Sequence, residues 1–154
     1  MTVLLRHLRA DDAPHVRRVY RGGSVRYLGR GEMTRAEAER YVTQAHTWAH
    51  AEPVVRHVLG IEAGRHLVGV AKLRRYPSGE GRVGYVLRED TWGNGYATEA
   101  VRRLVAFAFS LTGTDRLTAR HLTENTASGR VLLKSGFECV GPQGDYVHYR
   151  CPNP

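Results

Sequence analysis

The sequence predicts an α/β protein in which about four helices flank a central sheet of about seven strands. Three observations predict this class. Segments with apolar residues at helical spacing alternate with short β segments, in the order β, α, α, β, β, β, α, β, α, β, β. No repeat, low-complexity tract or linker interrupts that order. The length of 154 residues suits a single core, so residues 1–154 are assigned to one domain.

The first half contains one strand, two helices and a hairpin. A short strand covers residues 3–8, and Asp11 or Asp12 is expected to cap the helix after it. Thr34 and Glu37 form a capping box at the start of the second helix. The glycines between these helices predict a mobile connection. Two strands of a hairpin follow, at residues 55–62 and 67–74.

The second half alternates strands and helices. A strand over residues 82–88 precedes a long amphipathic helix over residues 95–111. A further strand and a short helix come next, and two strands close the chain. These last four elements cover residues 115–121, 126–134, 138–140 and 144–150.

The composition limits the classes of function. With 42% hydrophobic and 25% charged residues, the chain is typical of globular proteins. No apolar run is long enough to span a membrane and residues 1–9 lack a signal peptide, so a cytoplasmic protein is expected. The two cysteines lack metal-binding spacing, and no metal site is predicted. The net charge of +8 indicates an anionic partner, but its arginines are dispersed, which does not favour nucleic acid.

The most informative segment is VGYVLREDTWGNGYATEA, residues 83–100, where a strand enters a glycine loop that opens into a helix. The first turn of a helix has unpaired N–H groups, and Gly93 and Gly95 leave room for a phosphate to reach them. Two glycines also occur in such loops for conformational reasons alone. The patterns GxGxxG and GxxxxGK[ST] are absent, so neither a Rossmann nor a P-loop site is supported.

Residues 125–137, NTASGRVLLKSGF, form a second helix with a polar first turn. Together, WGNGYATEA and NTASGRVLLKSGF resemble the GNAT superfamily of acetyltransferases, in particular its ribosomal-protein N-terminal acetyltransferase-like branch. The resemblance implies a mixed sheet in which two parallel strands splay apart to form a coenzyme A cleft. It also implies acetyl-coenzyme A as the cosubstrate.

The resemblance implies roles for individual residues. The loop residues would bind the pyrophosphate, although Trp92 replaces the usual Arg or Gln. The strand before the loop would pair with the pantetheine arm and supply an oxyanion donor. Asn125 would contact pantetheine, and it is also suited to cap its helix. The predicted cofactor-binding residues are Val86, Leu87, Arg88, Trp92, Gly93, Asn94, Gly95, Tyr96, Ala97, Thr98 and Asn125.

The catalytic residues are less defined. Many family members place a Tyr acid where this chain has Leu132, so Ser128 is the candidate to hydrogen-bond the departing sulfur, with helix capping as its alternative role. His121 is a candidate base that would face the thioester, and a structural histidine at a strand end is the alternative. Arg82 stands where the resembled branch often carries Glu, which puts a carboxylate base in doubt.

The acceptor is left open by the sequence. A protein N-terminus, a polyamine, an aminoglycoside and an amino acid are all compatible with a primary amine acceptor. A coenzyme A-binding relative without catalysis, acting as a sensor or an interaction protein, is the alternative function. The protein is expected to be a monomer or a homodimer. The acceptor is expected to contact residues 20–31, the helix that follows Thr34, and the closing strands around Tyr146 and His148.

Overall fold

A computed structural model describes residues 2–154 and contains seven strands and four helices. The helices interrupt the strands in the predicted order. Their bounds are Ala13–Val19 (α1), Arg35–Ala49 (α2), Tyr96–Leu111 (α3) and Thr126–Lys134 (α4). The strands are Val3–His7 (β1), Arg56–Ala63 (β2), His66–Arg75 (β3), Glu80–Leu87 (β4), Arg116–Leu122 (β5), Glu138–Gln143 (β6) and Tyr146–Pro152 (β7).

The strands form one mixed sheet in the order β1-β2-β3-β4-β5-β7-β6. Neighbouring strands are antiparallel except β4 and β5, which are parallel. One apolar core lies between the sheet and α3 with α4, and the other lies between the sheet and α1 with α2. The predicted α/β class and the splayed parallel pair are therefore confirmed.

Local sequence signals explain most of the element boundaries. The capping box at α2 is present: the Thr34 hydroxyl accepts from the Glu37 N–H at 3.1 Å, and the Glu37 carboxylate accepts from the Thr34 N–H at 3.0 Å. At α1 the prediction of a side-chain cap was wrong. Asp12 occupies the capping position, but its carboxylate accepts from the Arg9 N–H at 2.6 Å and pairs with Arg6 at 2.8 Å.

Of the two closing strands, β6 is longer than predicted, and β7 has the predicted length but lies two residues later. β6 continues through Gly141 and Pro142 to Gln143, with a register irregularity between Cys139 and Gly141. A Gly-Pro pair in sequence indicates a turn, but β6 is the edge strand, where a residue without an N–H is tolerated. Both cysteines are free thiols. Among the residues described, no helix is long and apolar enough to cross a membrane.

Candidate active site

A gap between β4 and β5 is the feature around which the site is built. The two strands pair at only three positions, which are Glu80 with Arg116, Gly81 with Leu117 and Arg82 with Thr118. Beyond these positions β4 continues to Leu87 and β5 to Leu122. The later residues of β4 therefore border an open slot on their β5 side.

The main chain of β4 presents its groups alternately to β3 and to this slot. The N–H of Arg88 donates to a β3 carbonyl at 2.7 Å, and a Cβ added at Gly69 in β3 would lie 2.4 Å from the Val86 carbonyl oxygen. Val86 therefore faces β3 with its main chain. The main-chain groups of Leu87 and Tyr85 face the slot, so Leu87 is the one of the two predicted strand residues that can offer an N–H there.

The glycine loop enters α3 in a conformation that requires glycine. Gly93 has φ of +85°, and Gly95, the residue that caps α3, has φ of +77°. A Cβ added at either position would meet no heavy atom within 4 Å. The backbone conformation, rather than crowding by the protein, therefore selects glycine here, and the space beside both residues is open to a ligand.

Several main-chain amides of this loop have no acceptor in the part of the chain that the structure describes. Within residues 2–154, no hydrogen bond is formed by the N–H groups of Gly93, Asn94, Gly95, Ala97 or Thr98. They lie at the positive end of the dipole of α3, which spans 16 residues. Unpaired amides at the start of a helix bind anions such as phosphate.

Three predicted cofactor residues use their side chains to hold the loop. The Asn94 amide donates to the Thr91 carbonyl at 2.9 Å, and the Arg88 guanidinium pairs with Asp90 at 2.6 Å. Trp92, which is 53% exposed, donates its indole N–H to the Leu87 carbonyl at 3.2 Å. The tryptophan thus ties the loop to the end of β4, a role that local sequence does not reveal.

The slot and the loop belong to one cleft of about 630 Å³. Arg88, Asn94 and His121 do not line it, whereas the other predicted site residues do. Those that line it are Val86, Leu87, Trp92, Gly93, Gly95, Tyr96, Ala97, Thr98, Asn125 and Ser128. The 3-10 helix Gly22–Val25 and the next few residues form another wall, in the segment expected to contact the acceptor.

A tyrosine that the sequence analysis missed meets Ser128 across the cleft. The side chains of Tyr85 and Ser128 both line the cleft. Burial raises the pKa of Tyr85 above its usual value, and the nearby Ser128 hydroxyl partly opposes that increase. The two residues are far apart in sequence. The available signal was the alternation of β4, which places a hydroxyl on the side of the strand that faces α4.

His121 is buried outside the cleft, and both of its ring nitrogens are engaged. Nδ1 donates to the Leu122 carbonyl at 2.6 Å, which leaves Nε2 to accept from the Tyr149 hydroxyl at 3.0 Å. Gly129 of α4 packs so closely that an added Cβ would lie 2.8 Å from Nε2. His121 is therefore a buried, hydrogen-bonded residue of the core, whereas the sequence analysis expected it to face the cleft.

The charged groups of the cleft were also missed. Glu89 and Glu124 are its carboxylates, and a Cβ added at Gly23 would clash with the Glu89 carboxylate. Arg130 and Lys134 add positive charge along α4. The sequence pattern of α4 shows these cations, but it does not show that they face the same cleft as the glycine loop.

Comparison with known proteins gives the family. A family model for the acetyltransferase (GNAT) domain matches residues 2–138. This chain belongs to the GNAT acetyltransferase family. YoaA of Bacillus subtilis (strain 168), an uncharacterised N-acetyltransferase, is 38% identical to it over 66 residues, 43% of this chain and 37% of that protein. The GNAT chain thus matches less than half the length of its curated relatives.

Solved GNAT structures share the whole fold. RimL, a ribosomal L7/L12 alpha-N-protein acetyltransferase in complex with coenzyme A, has a TM-score of 0.83 at 16% identity, over 99% of this chain and 94% of that chain. The aminoglycoside acetyltransferase AAC(6')-Ib in complex with coenzyme A has a TM-score of 0.79 at 16% identity, over 99% and 95%. The acceptors of these two neighbours differ, so the shared fold does not determine the acceptor.

Proposed function

We propose that this GNAT domain transfers the acetyl group of acetyl-coenzyme A to a primary amine, either a protein N-terminus or a small-molecule amine. One observation carries the proposal: unpaired amides at the start of α3 open into a slot between two parallel strands. The amides suit a diphosphate, and the strand edge suits the extended pantetheine arm. The coenzyme A complexes of RimL and AAC(6')-Ib, which share the fold, support the same cosubstrate.

Different residues of the cleft bind different parts of coenzyme A. The N–H groups of Gly93, Asn94, Gly95, Ala97 and Thr98 hold the diphosphate, and the slot-facing main chain of β4 pairs with pantetheine. Asn125 caps α4 through its Oδ1 atom, which accepts from the Ser128 N–H at 3.4 Å, and its amide nitrogen can donate to pantetheine. Arg130 and Lys134 supply positive charge for the remaining phosphate. Arg88 and Asn94 act by holding the loop.

The reaction proposed is direct attack of the neutral amine on the thioester carbonyl. A C–N bond forms, the C–S bond breaks, and the amine loses a proton to solvent. The Leu87 N–H, fixed by β4, is placed to stabilise the oxyanion that develops. The departing sulfur takes a proton from Ser128, which regains one from solvent, and the Tyr85 hydroxyl is the neighbouring polar group of the cleft. Because a thiolate leaves readily, this proton transfer assists the reaction modestly.

A thiol-release assay with acetyl-coenzyme A and a panel of amines and short peptides tests the proposal. Calorimetry with coenzyme A gives binding independently of turnover. Acetyl transfer to any amine, confirmed by mass spectrometry, supports the enzyme. Coenzyme A binding with no transfer would favour the non-catalytic relative, and absence of both would contradict the proposed site.

Ser128→Ala is expected to lower kcat about tenfold while changing coenzyme A affinity less than about threefold. General acid catalysis contributes more than this in demanding reactions, but the thiolate is a good leaving group. Tyr85→Phe should lower kcat in the same direction. The double variant should be little worse than either single variant if the two hydroxyls act as a unit.

The matched control for Ser128→Ala is Ser110→Ala, at an exposed position of α3 far along the helix from the cleft. Its kcat should equal that of the unmodified protein. If Ser128→Ala also keeps full turnover, Ser128 supplies no proton to the sulfur.

The rate is expected to rise with pH between about 6 and 8.5 for a peptide whose only amine is its N-terminus, because an α-amino group has a pKa near 8. No falling limb from Tyr85 is expected in this range, since burial raises the pKa of that group and keeps the hydroxyl protonated. Initial rates at saturating acetyl-coenzyme A measure the profile. A flat profile would exclude amine deprotonation from the rate-limiting process.

A further inference from the structure

One face of the sheet is left bare beside the cleft. The apolar helices α1 and α2 cover β2 and the first part of β3, around Leu67 and Val70, on this side. The residues of β5 and β7 on the same side belong to neither apolar core. Strand register places on this open face Lys72, Arg74, Arg82, Gly84, Thr118, Arg120, Tyr146, His148 and Arg150. Because α3 and α4 cover the opposite side of the sheet, an acceptor can approach the slot from the open face.

The open face carries cations without matching carboxylates. Glu80 and Glu138 lie on it, and their ion pairs are with Arg116 at 3.8 Å and Arg150 at 3.3 Å. The other cations of the face form no ion pair with any carboxylate in the described part of the chain. These unpaired cations are Lys72, Arg74, Arg82 and Arg120.

Aromatic rings hold these unpaired cations in place. Arg74 and Arg82 lie 5.1 and 6.0 Å from the ring centre of Tyr76, and Arg120 lies 4.2 Å from that of Tyr146. Such stacking orients a guanidinium without neutralising its charge. The donors are therefore ordered and available to an anion.

Lys72 lies on β3 opposite Gly84 of β4, and it is half-buried. Its ammonium lies 5.6 Å from the ring centre of Tyr20. Burial first, and then the charge of Arg30, lower the pKa of Lys72. A desolvated cation beside another cation gains stability when an anion approaches. Register pairs Lys72 with Gly84, where an added Cβ would meet nothing within 4 Å, so there is room for a ligand at this point.

The extent of the basic surface distinguishes a peptide from a small molecule. One row of register partners runs across four strands, from Arg74 through Arg82 and Thr118 to Arg150. Adjacent strands are about 4.8 Å apart, so this row is about 14 Å long. An extended peptide covers that length with about four residues, whereas one amino acid reaches a single cation.

We propose that the acceptor is the N-terminus of a polypeptide with acidic side chains in its first few residues. This inference rests on the proposed acetyltransferase function. The terminal amine enters the slot over Gly84, and the acidic side chains lie over Lys72 and the Arg82 row. The same charges disfavour a polycationic acceptor such as an aminoglycoside, because like charges in contact oppose binding.

Three peptides that share their first residue test the inference. Positions two to five are acidic (Asp and Glu) in the first peptide, neutral (Ser and Gln) in the second, and basic (Lys and Arg) in the third. The acidic peptide should have a kcat/KM at least about tenfold above the neutral one, and the basic peptide the lowest value. Higher salt should reduce the difference, since exposed charges are screened. Transfer that is insensitive to peptide charge, or confined to small amines, would overturn the inference and leave the proposed function standing.

Variants locate the effect. Arg82→Gln and Lys72→Met should each lower kcat/KM for the acidic peptide much more than for the neutral one, so that the ratio between the two peptides approaches one. Arg35→Gln, at an exposed ion pair on α2, is the matched control. Fluorescence anisotropy of the labelled acidic peptide provides a readout without turnover. If the acidic and neutral peptides bind equally to the coenzyme A-loaded protein, the open face does not select acidic chains, whether or not acetyl transfer occurs.

Discussion

Gly95→Glu is expected to lower coenzyme A affinity at least about 100-fold. Gly95 has φ of +77°, where a side chain costs about 1 to 2 kcal/mol. The new carboxylate would lie among the unpaired amides that the diphosphate needs, and it would repel the incoming anion. Repulsion between unit charges 4 Å apart is about 1 kcal/mol in water and about 4 kcal/mol near a protein surface. Each 1.4 kcal/mol corresponds to tenfold in affinity, so these effects together account for the expected loss.

Calorimetry with coenzyme A measures this loss, and two controls assign its cause. Gly95→Ala carries the backbone strain without the charge, so it should lose less affinity than Gly95→Glu. Gly113→Glu adds the same carboxylate at φ of +71° and in open space, beyond the C-terminal end of α3. It should bind coenzyme A normally. Unchanged affinity in Gly95→Glu, or an equal loss in Gly113→Glu, would contradict an anion site at the start of α3.

The structural features that were predicted best are those that a short segment of the sequence determines by itself. The glycine loop and the α2 capping box depend on backbone conformation and hydrogen bonds within a few residues, so Gly93, Gly95, Thr34 and Glu37 were assigned from local pattern alone. The order of helices and strands along the chain also followed from apolar periodicity, and the structure has the same order. In these parts, the physical cause lies within one turn of helix or one strand.

What depends on strand register was not predictable. Tyr85 and Ser128 are neighbours only because β4 lies across the slot from α4. The pairing of β4 with β3 decides whether the main chain of Leu87 or that of Val86 faces the slot. His121 shows the opposite case. Its residue type suggested a base, but the fold places Tyr149 against its free nitrogen.

The arginines are the largest difference between sequence and structure. Along the chain they are scattered, which indicated an ordinary solvated surface. Register brings Arg74, Arg82 and Arg150 from three strands into one row on one face of the sheet. Alternate residues of a strand point to the same face, and strand pairing aligns residues that are far apart in sequence. Together they can concentrate charge on one face although no short segment of the sequence is strongly charged.

Leu104→Ala is expected to lower the free energy of unfolding by about 3 kcal/mol, within the range of about 2 to 5 kcal/mol for buried leucine truncations. Leu104 is 0% exposed and joins α3 to the sheet, so its removal leaves a cavity under the helix that presents the anion site. For a chain of this size, each kcal/mol shifts the melting temperature by about 2 to 4 °C. Thermal denaturation should therefore show a decrease of about 10 °C.

Leu111→Ala is the matched control, because it is the same substitution in the same helix at a residue that is 76% exposed. Its stability should change by less than about 0.5 kcal/mol. Coenzyme A at about 100 times its Kd should add about 2.7 kcal/mol to Leu104→Ala and to the unmodified protein alike, since only the folded state binds it. The same ligand concentration should leave Gly95→Glu almost unshifted. If Leu104→Ala is as stable as Leu111→Ala, α3 is not packed on the sheet as the structure shows, and the amides at its start lose the support on which the site depends.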